Sequence, residues 1–308
     1  MNHNIIAIVG PTASGKTALS VRLAQELGAE IVSFDSMQVY RRMDIGTAKP
    51  SVEERAGIVH HMLDVAEPDE DFSVSRYCTM ASPIVDDILA RGKTCIIVGG
   101  TGLYMDNLIK GTEFAPFPST GVRERLEQEP IEDVYARLQD IDPEAAARLH
   151  LADKKRIIRA MEVYLETGET ITEHDRRSRA IPAKYDPVWF ALEDEERADL
   201  YERIDRRVDV MLQQGLVEEI RALLSEGIDP RCTAMQAIGY KEFVDAMEGR
   251  MTVEAAADQV RQSSRHYAKR QLTWFRRNKS IHWLRRSKTV GSEEILSLAR
   301  QVLRENDK

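Results

Sequence analysis

Gly10-Pro11-Thr12-Ala13-Ser14-Gly15-Lys16-Thr17 follows the apolar run Ile5-Ile6-Ala7-Ile8-Val9 and precedes Ala18-Leu19-Ser20-Val21-Arg22-Leu23-Ala24. The octapeptide fits the phosphate-loop template G-x-x-x-x-G-K-[ST], and its flanks read as the buried strand and the helix that this template requires. Glycines let the backbone turn tightly, so that successive amides point into one concavity, and the helix N-terminus adds the positive end of its dipole. Lys16 supplies a point charge for terminal phosphate oxygens, and the Thr17 hydroxyl is placed to ligate Mg2+. A di- or triphosphate site follows.

Working outward, Lys16–Leu27 reads as a helix with Ala18, Leu19, Leu23, Ala24 and Leu27 on one face and Gly28 to end it. Glu30–Phe34 is a second short strand, ending at Asp35. In parallel α/β sheets ligands sit beyond the carboxyl ends of the strands, so the phosphate loop and Asp35 should face one crevice. The run from Asp35 to Pro50 has a period of neither 2 nor 3.6 and reads as a structured loop. Asp35, Ser36 and Gln38 bring a carboxylate, a hydroxyl and an amide together, able to accept a proton and to read a base edge. By composition alone a surface turn is the better reading, and the place beside the phosphate site reverses that preference. His60 and His61 stand side by side in a strand, point to opposite faces and do not converge on a metal.

A helix around Ser75–Ala90, interrupted at Pro83, leads to a strand over Thr94–Val98 and the loop Gly99-Gly100-Thr101-Gly102-Leu103-Tyr104. No acidic residue ends that strand, where a hydrolysing phosphate-loop enzyme places an aspartate for magnesium and water. The arrangement suits binding better than NTP hydrolysis. The Pro- and Gly-bearing stretch Phe114–Gly121 reads as a boundary, and 118–182 as a helical insertion between core segments 1–117 and 183–308. Inside it, Lys155, Arg156 and Arg159 share about one turn, as a solvated face or as a polyanion contact. Val188–Leu192 resumes strand character. From Leu200 to Leu224 a helical region carries the apolar stripe Leu200, Ile204, Val208 and Met211 and stops at Gly227. Arg203 and Arg207 lie on another of its faces, where one or both can reach a phosphate or else pair at the surface with acidic neighbours such as Glu202 and Asp205. A helix from about Val253, a strand at Ile281–Leu284 and a helix at Glu293–Leu303 complete the chain. The fold class is α/β, a phosphate-loop NTPase-like parallel sheet flanked by helices with an all-helical insertion.

The 308 residues are 43% apolar and 31% charged, which describes an ordinary globular chain. No apolar run approaches the roughly 18 residues of a membrane helix, and no export signal precedes the first strand, so a cytoplasmic protein without membrane contact is expected, and a monomer, since neither a coiled-coil pattern nor a large exposed apolar stripe is evident. Cys78, Cys95 and Cys232 lack zinc or disulfide spacing. Net charge is −8, yet residues 261–288 hold ten Lys or Arg and no acid, which leaves −18 on the other 280. That segregated block, interleaved with Tyr267, Trp274 and Phe275, suits a nucleic-acid backbone with stacking partners.

Four stretches together resemble the bacterial tRNA dimethylallyltransferases: residues 10–17, Asp35 through Pro50, Gly99–Tyr104, and Lys269-Arg270-Gln271-Leu272-Thr273-Trp274-Phe275-Arg276-Arg277. That family moves a dimethylallyl group from dimethylallyl diphosphate to the exocyclic amine of the adenosine 3′ to the anticodon and releases diphosphate. The resemblance implies that Gly10, Pro11 and Thr12–Thr17 hold diphosphate, a nucleotide-binding and ATP-binding type of cradle. It implies that Asp35 is the base, and that Asp35, Ser36, Met37 and Gln38 contact the adenosine. Thr101, Arg123, Lys155, Arg156, Ile157, Ile158 and Arg159 match tRNA-contacting positions, with Lys269 and Arg270 in the basic block. Lys16, Thr101 and Arg207 join Asp35 in the catalytic set, with Arg203 as the alternative to Arg207 on diphosphate. Residues 10–17 alone would equally fit a small-molecule kinase, prenylation of free adenine nucleotides would leave the insertion without a role, and a non-catalytic RNA-binding module would need no base.

Overall fold

Runs of four or five apolar residues are too short for buried helices, and when buried on both faces they pair as parallel strands. In a computed structural model that describes residues 4–112, 120–287 and 290–306, Ile5–Val9 forms β1 and is buried along its whole length. The expected boundary at 117/118, and Lys288 of the basic block, lie outside the described residues. Chain order is β1, α1 (Lys16–Leu27), β2 (Glu30–Ser33), α2 (Val52–Arg55), β3 (His60–His61), α3 (Val74–Ala90), β4 (Cys95–Val98) and α4 (Gly102–Lys110). The insertion follows as α5 (Val122–Gln128), α6 (Ile131–Ile141), α7 (Pro143–Arg148), α8 (Lys154–Thr167) and α9 (Ile171–Ala180). The chain then returns through β5 (Val188–Asp194), α10 (Arg197–Gln213), α11 (Leu216–Ser225), α12 (Tyr240–Met247), α13 (Val253–Phe275), β6 (Ile281–Arg286) and α14 (Ser292–Asn306).

All six strands are parallel, in the order β3-β2-β4-β1-β5-β6. β1 therefore lies between β4 and β5, and the phosphate loop leaves the middle of the sheet. Helices α1 and α14 cover one core through Leu19, Leu23, Ile295, Leu296 and Leu303. The face of α1 differs by one position from the sequence reading, because Ala18 is exposed and Val21 is buried.

The chain divides into Met1–Gly111 with Tyr185–Lys308, and Thr112–Lys184. The second unit holds its own core, built on Val122, Leu126, Val134, Leu138, Ile157 and Met161. Asp142 ties it together by accepting from the Ala145 amide (3.0 Å), the Thr172 amide (3.0 Å) and the Thr172 hydroxyl (2.7 Å).

Two expected breaks move. Pro83 sits inside an uninterrupted α3, where burial of Tyr77, Cys78, Ala81, Val85 and Ile88 outweighs the one backbone bond proline removes. The helical region from Leu200 is two helices, parted at Gly215, whose φ of +97° stops α10. Among the described residues no helix is long and apolar enough to cross a membrane.

Candidate functional site

The chain turns out of β1 at Gly10, where a Cβ would stand 3.1 Å from the Leu192 carbonyl oxygen of β5 and φ is +143°. Only glycine suits both conditions. Ala13 follows in the left-handed region at φ +61°, and the loop is braced by side chains that grip its backbone. Lys16 Nζ donates to the Pro11 carbonyl at 2.6 Å, Arg203 Nε to that of Ala13 at 3.0 Å, and Arg286 Nη1 to that of Ser14 at 3.5 Å. Gln271 Oε1 accepts from the Thr12 amide at 2.9 Å. Ser14 Oγ is buried without a protein partner among the described residues, a donor that a phosphate oxygen would satisfy.

Arg203, ion-paired to Asp194, therefore braces the loop from behind. Arg207, one turn along α10, lines the cavity instead. The cavity measures about 340 Å³ and gathers Lys16, Thr17, Asp35, Ser36, Met37 and Gln38 as well. Burial, then the Arg207 charge, pushes the Lys16 ammonium down to about 7, with Asp35 opposing. Burial lowers Arg207 too, again against Asp35. Two cations thus stand partly stripped of water, Asp35 is the carboxylate that lines the cavity beside them among the described residues, and an entering polyanion repays that desolvation.

Asp35 Oδ1 accepts from the amides of Met37 (2.9 Å) and Gln38 (3.3 Å), which fixes the carboxylate at the tip of β2. Among the described residues no hydrogen bond falls on Oδ2, the oxygen left for a substrate proton. Thr101 Oγ1 accepts from the Ser36 amide at 3.1 Å, so its hydroxyl supports the Asp35 turn. Gln38 Nε2 donates to the carbonyls of Thr47 (3.2 Å) and Ala48 (3.1 Å), folding the loop onto itself. Two groups beyond the reach of sequence patterns hold that loop. Glu219 of α11 accepts from the amides of Asp44, Ile45 and Gly46 at 2.9, 2.8 and 3.2 Å, and the buried Lys49 ammonium donates to the Tyr40 carbonyl and to Asp44 and Asp64.

Periodicity alone shows the apolar wall only as core. Ile204, Val208 and Met211 of α10 face the cavity with Val260 of α13. His60 lines it as well, while His61 turns away to Glu30 at 2.9 Å. Tyr267 completes the wall, its hydroxyl pushed up to about 12 by burial and then by the Asp35 charge.

The basic block is less free than its composition suggests. Arg261 pairs with Asp209 and with its neighbour Asp258, Arg265 with Asp205, and Arg276 with Glu193, so acids mostly distant in sequence neutralise part of it. Lys269 and Arg270 are exposed and have no carboxylate partner among the described residues. Trp274 is half-buried with Arg277 4.0 Å above its ring, and Phe275 is core.

Within the second unit, Arg123, Arg148, Lys155, Arg156 and Arg159 line one basic hollow. Arg123 binds Glu162 through two bonds (3.1 and 3.0 Å), and Arg159 binds the same carboxylate at 2.7 Å. Ile157 and Ile158, expected among the RNA-contacting positions, are buried in this unit's core. The helix turns them inward, and only Lys155, Arg156 and Arg159 of that stretch offer side chains to a ligand.

The family model described as "IPP transferase" matches residues 38–278. A tRNA dimethylallyltransferase of Alkaliphilus oremlandii is 46% identical over 300 residues, covering 96% of this chain and 95% of that one. One of Acetivibrio thermocellus is 42% identical over 298 residues, 95% of each. Among solved structures, a tRNA isopentenylpyrophosphate transferase of Bacillus halodurans superposes with a TM-score of 0.74 at 40% identity, over 98% of this chain and 96% of that chain. A eukaryotic dimethylallyltransferase described as acting on tRNA gives 0.84 at 29% identity, over 98% and 79%.

Proposed function

The chain belongs to the IPP transferase family, and we propose that it transfers a dimethylallyl group from dimethylallyl diphosphate to tRNA, at the exocyclic amine of the adenosine 3′ to the anticodon. One observation carries this reading: Asp35, the phosphate-loop residues Lys16 and Thr17, and Arg207 line a single cavity with an apolar wall. The allylic C–O bond breaks as the amine nitrogen forms its bond to carbon. The electron pair leaves on diphosphate, where loop amides, Lys16 and Arg207 meet the growing charge. The amine proton passes to Asp35 Oδ2, a contribution of about 10²–10⁴-fold. The isoprenoid rests against Ile204, Val208 and Met211, which exclude water from a carbocation-like carbon. No water has to be activated, in keeping with the missing acid after β4.

Among the described residues no group of three or more His, Cys, Asp or Glu is placed to hold a metal ion. One hydroxyl and one carboxylate fit a hard cation that keeps several waters and takes substrate phosphates as its other ligands. Mg2+ would sit on the Thr17 hydroxyl and, when bound, neutralise diphosphate charge. The exposed Lys269 and Arg270, with Arg123, Lys155, Arg156 and Arg159 of the insertion, supply cations for the tRNA backbone. A base of a single-stranded loop is extruded at a cost of a few kcal/mol.

The experiment is direct. The protein is incubated with dimethylallyl diphosphate, magnesium and unmodified tRNA, and the nucleosides are analysed. Isopentenyl-adenosine next to the anticodon is expected. Transfer of the ATP γ-phosphate without prenyl transfer overturns the reading in favour of a kinase.

A further inference from the structure

Helix α13 offers Lys269 and Arg270 to solvent, Arg270 also lines the cavity, and next to it Gln271 makes bonds that the proposed reaction does not use. The side chain is buried, at 5% exposure. Its Oε1 accepts from the Thr12 amide of the phosphate loop at 2.9 Å, and its Nε2 donates to the Gly100 carbonyl at 3.0 Å. The fit is close. A Cβ on Gly100 would stand 2.1 Å from Gln271 Nε2, and one on Gly102 2.3 Å from the Trp274 ring. Gln271 and Trp274 lie about one turn apart on α13, so two glycines of the Gly99–Tyr104 loop are seats for two side chains of this helix. One turn earlier on the same helix Tyr267 lines the cavity as well, and Gly100 is followed directly by Thr101. Thr101 in turn accepts from the Ser36 amide at 3.1 Å, beside Asp35. Gln271 therefore bridges the phosphate loop to the Gly99–Tyr104 loop, whose Thr101 holds the turn that carries the carboxylate.

We infer that Gln271 is a positioning residue for prenyl transfer, fixing the phosphate loop against the Asp35 turn so that leaving group, allylic carbon and amine stand in line. The inference rests on the reaction proposed above. Glutamine suits the place because one planar group offers a donor and an acceptor together. Glutamate offers two acceptors and no donor when ionised, and methionine offers no comparable pair. Gln271 spends both polar atoms on Thr12 and Gly100 and acts through them.

The test compares wild type with Gln271→Glu and Gln271→Met. It measures kcat and KM for dimethylallyl diphosphate at saturating tRNA, Kd for tRNA, and calorimetric binding of inorganic diphosphate with magnesium. Both variants should lose on the order of 10²-fold in kcat, the cost of about an ångström of misplacement, and bind diphosphate several-fold more weakly. Affinity for tRNA should stay within about twofold, because phosphate contacts set it. Gly100→Ala should lower Tm and kcat together, and adding Gln271→Ala should restore Tm alone. A purely structural side chain would let both recover, and that result overturns the inference. So does a Gln271→Met enzyme with wild-type kcat and diphosphate affinity, or a tRNA affinity that falls as far as kcat. If Gln271→Met fails to fold, the near-isosteric Gln271→Glu carries the comparison. If wild type transfers no prenyl group, the reaction fails while the diphosphate titration still decides whether Gln271 shapes the cradle.

Discussion

Lysine and arginine serve opposite ends in the two units. In the cavity, Lys16 and Arg207 are drawn partly out of water, and burial with mutual repulsion drives the Lys16 ammonium down to about 7. On the insertion, the Arg156 side chain is 74% exposed, and Arg123 and Arg159 share Glu162. Cations of the first kind are poised for one localised polyanion, since only such a charge repays their desolvation. Cations of the second kind stay solvated and are screened by salt, which suits a diffuse grip on phosphates. Residue type is the same, and degree of hydration divides the roles.

The sharpest way to break this division is to remove Asp35, the carboxylate that lines the cavity among the described residues. Asp35→Ala should lower single-turnover transfer by about 10²–10⁴-fold, with tRNA affinity within about twofold of wild type. Single-turnover kinetics beside a tRNA binding isotherm measure both. An affinity that fell in step with turnover would mean that the cavity, not the exposed cations, holds the RNA.

Much of the cavity is legible in the sequence because its parts are local. The strand–loop–helix at residues 5–27 is set by spacing, and Asp35 by its place at the next strand tip. Spacing cannot tell Arg207 from Arg203, because both face the phosphate loop and only the fold shows Asp194 claiming Arg203. The bracing groups escape for a different reason. Glu219 lies 173–175 residues from the amides it caps, and Gln271 lies 259 and 171 from its two partners. No periodicity reports a hydrogen bond across such distances. The basic block misleads for the converse reason, since the carboxylates opposite it, Asp205, Asp209 and Glu193, belong to α10 and β5. The stripe Ile204, Val208 and Met211 is a cavity wall in a pattern that a core helix shares.

A salt series sharpens the same contrast with a smaller effect. Log affinity for tRNA should fall linearly with log salt, and Arg123→Ala with Lys155→Ala and Arg156→Ala should flatten the slope by about 0.7–0.9 for each phosphate no longer neutralised. Prenyl transfer at saturating tRNA should hardly change in the triple variant. A slope left unaltered would remove the insertion's cations from the RNA interface.

The smallest effect, at most one proton per site, tests the cavity side alone. With its ammonium at about 7, free Lys16 is mostly neutral at pH 8 and mostly charged at pH 6. An anion bound beside it favours the charged form and raises its pKa. Binding of dimethylallyl diphosphate should therefore take up a proton at pH 8, approaching one per site, and little at pH 6, with affinity weakening as pH rises through 7. Calorimetry in two buffers of different ionisation enthalpy reads the uptake. Lys16→Arg supplies the baseline, because arginine keeps its charge throughout and any uptake that persists comes from the ligand. Arg207→Gln should shrink the uptake, because removing the neighbouring cation lets Lys16 hold its proton before the ligand arrives. Equal uptake in wild type and Lys16→Arg would mean that Lys16 enters the cavity already charged and hydrated like the lysine on the insertion, and the distinction between the two sets of cations would then lapse.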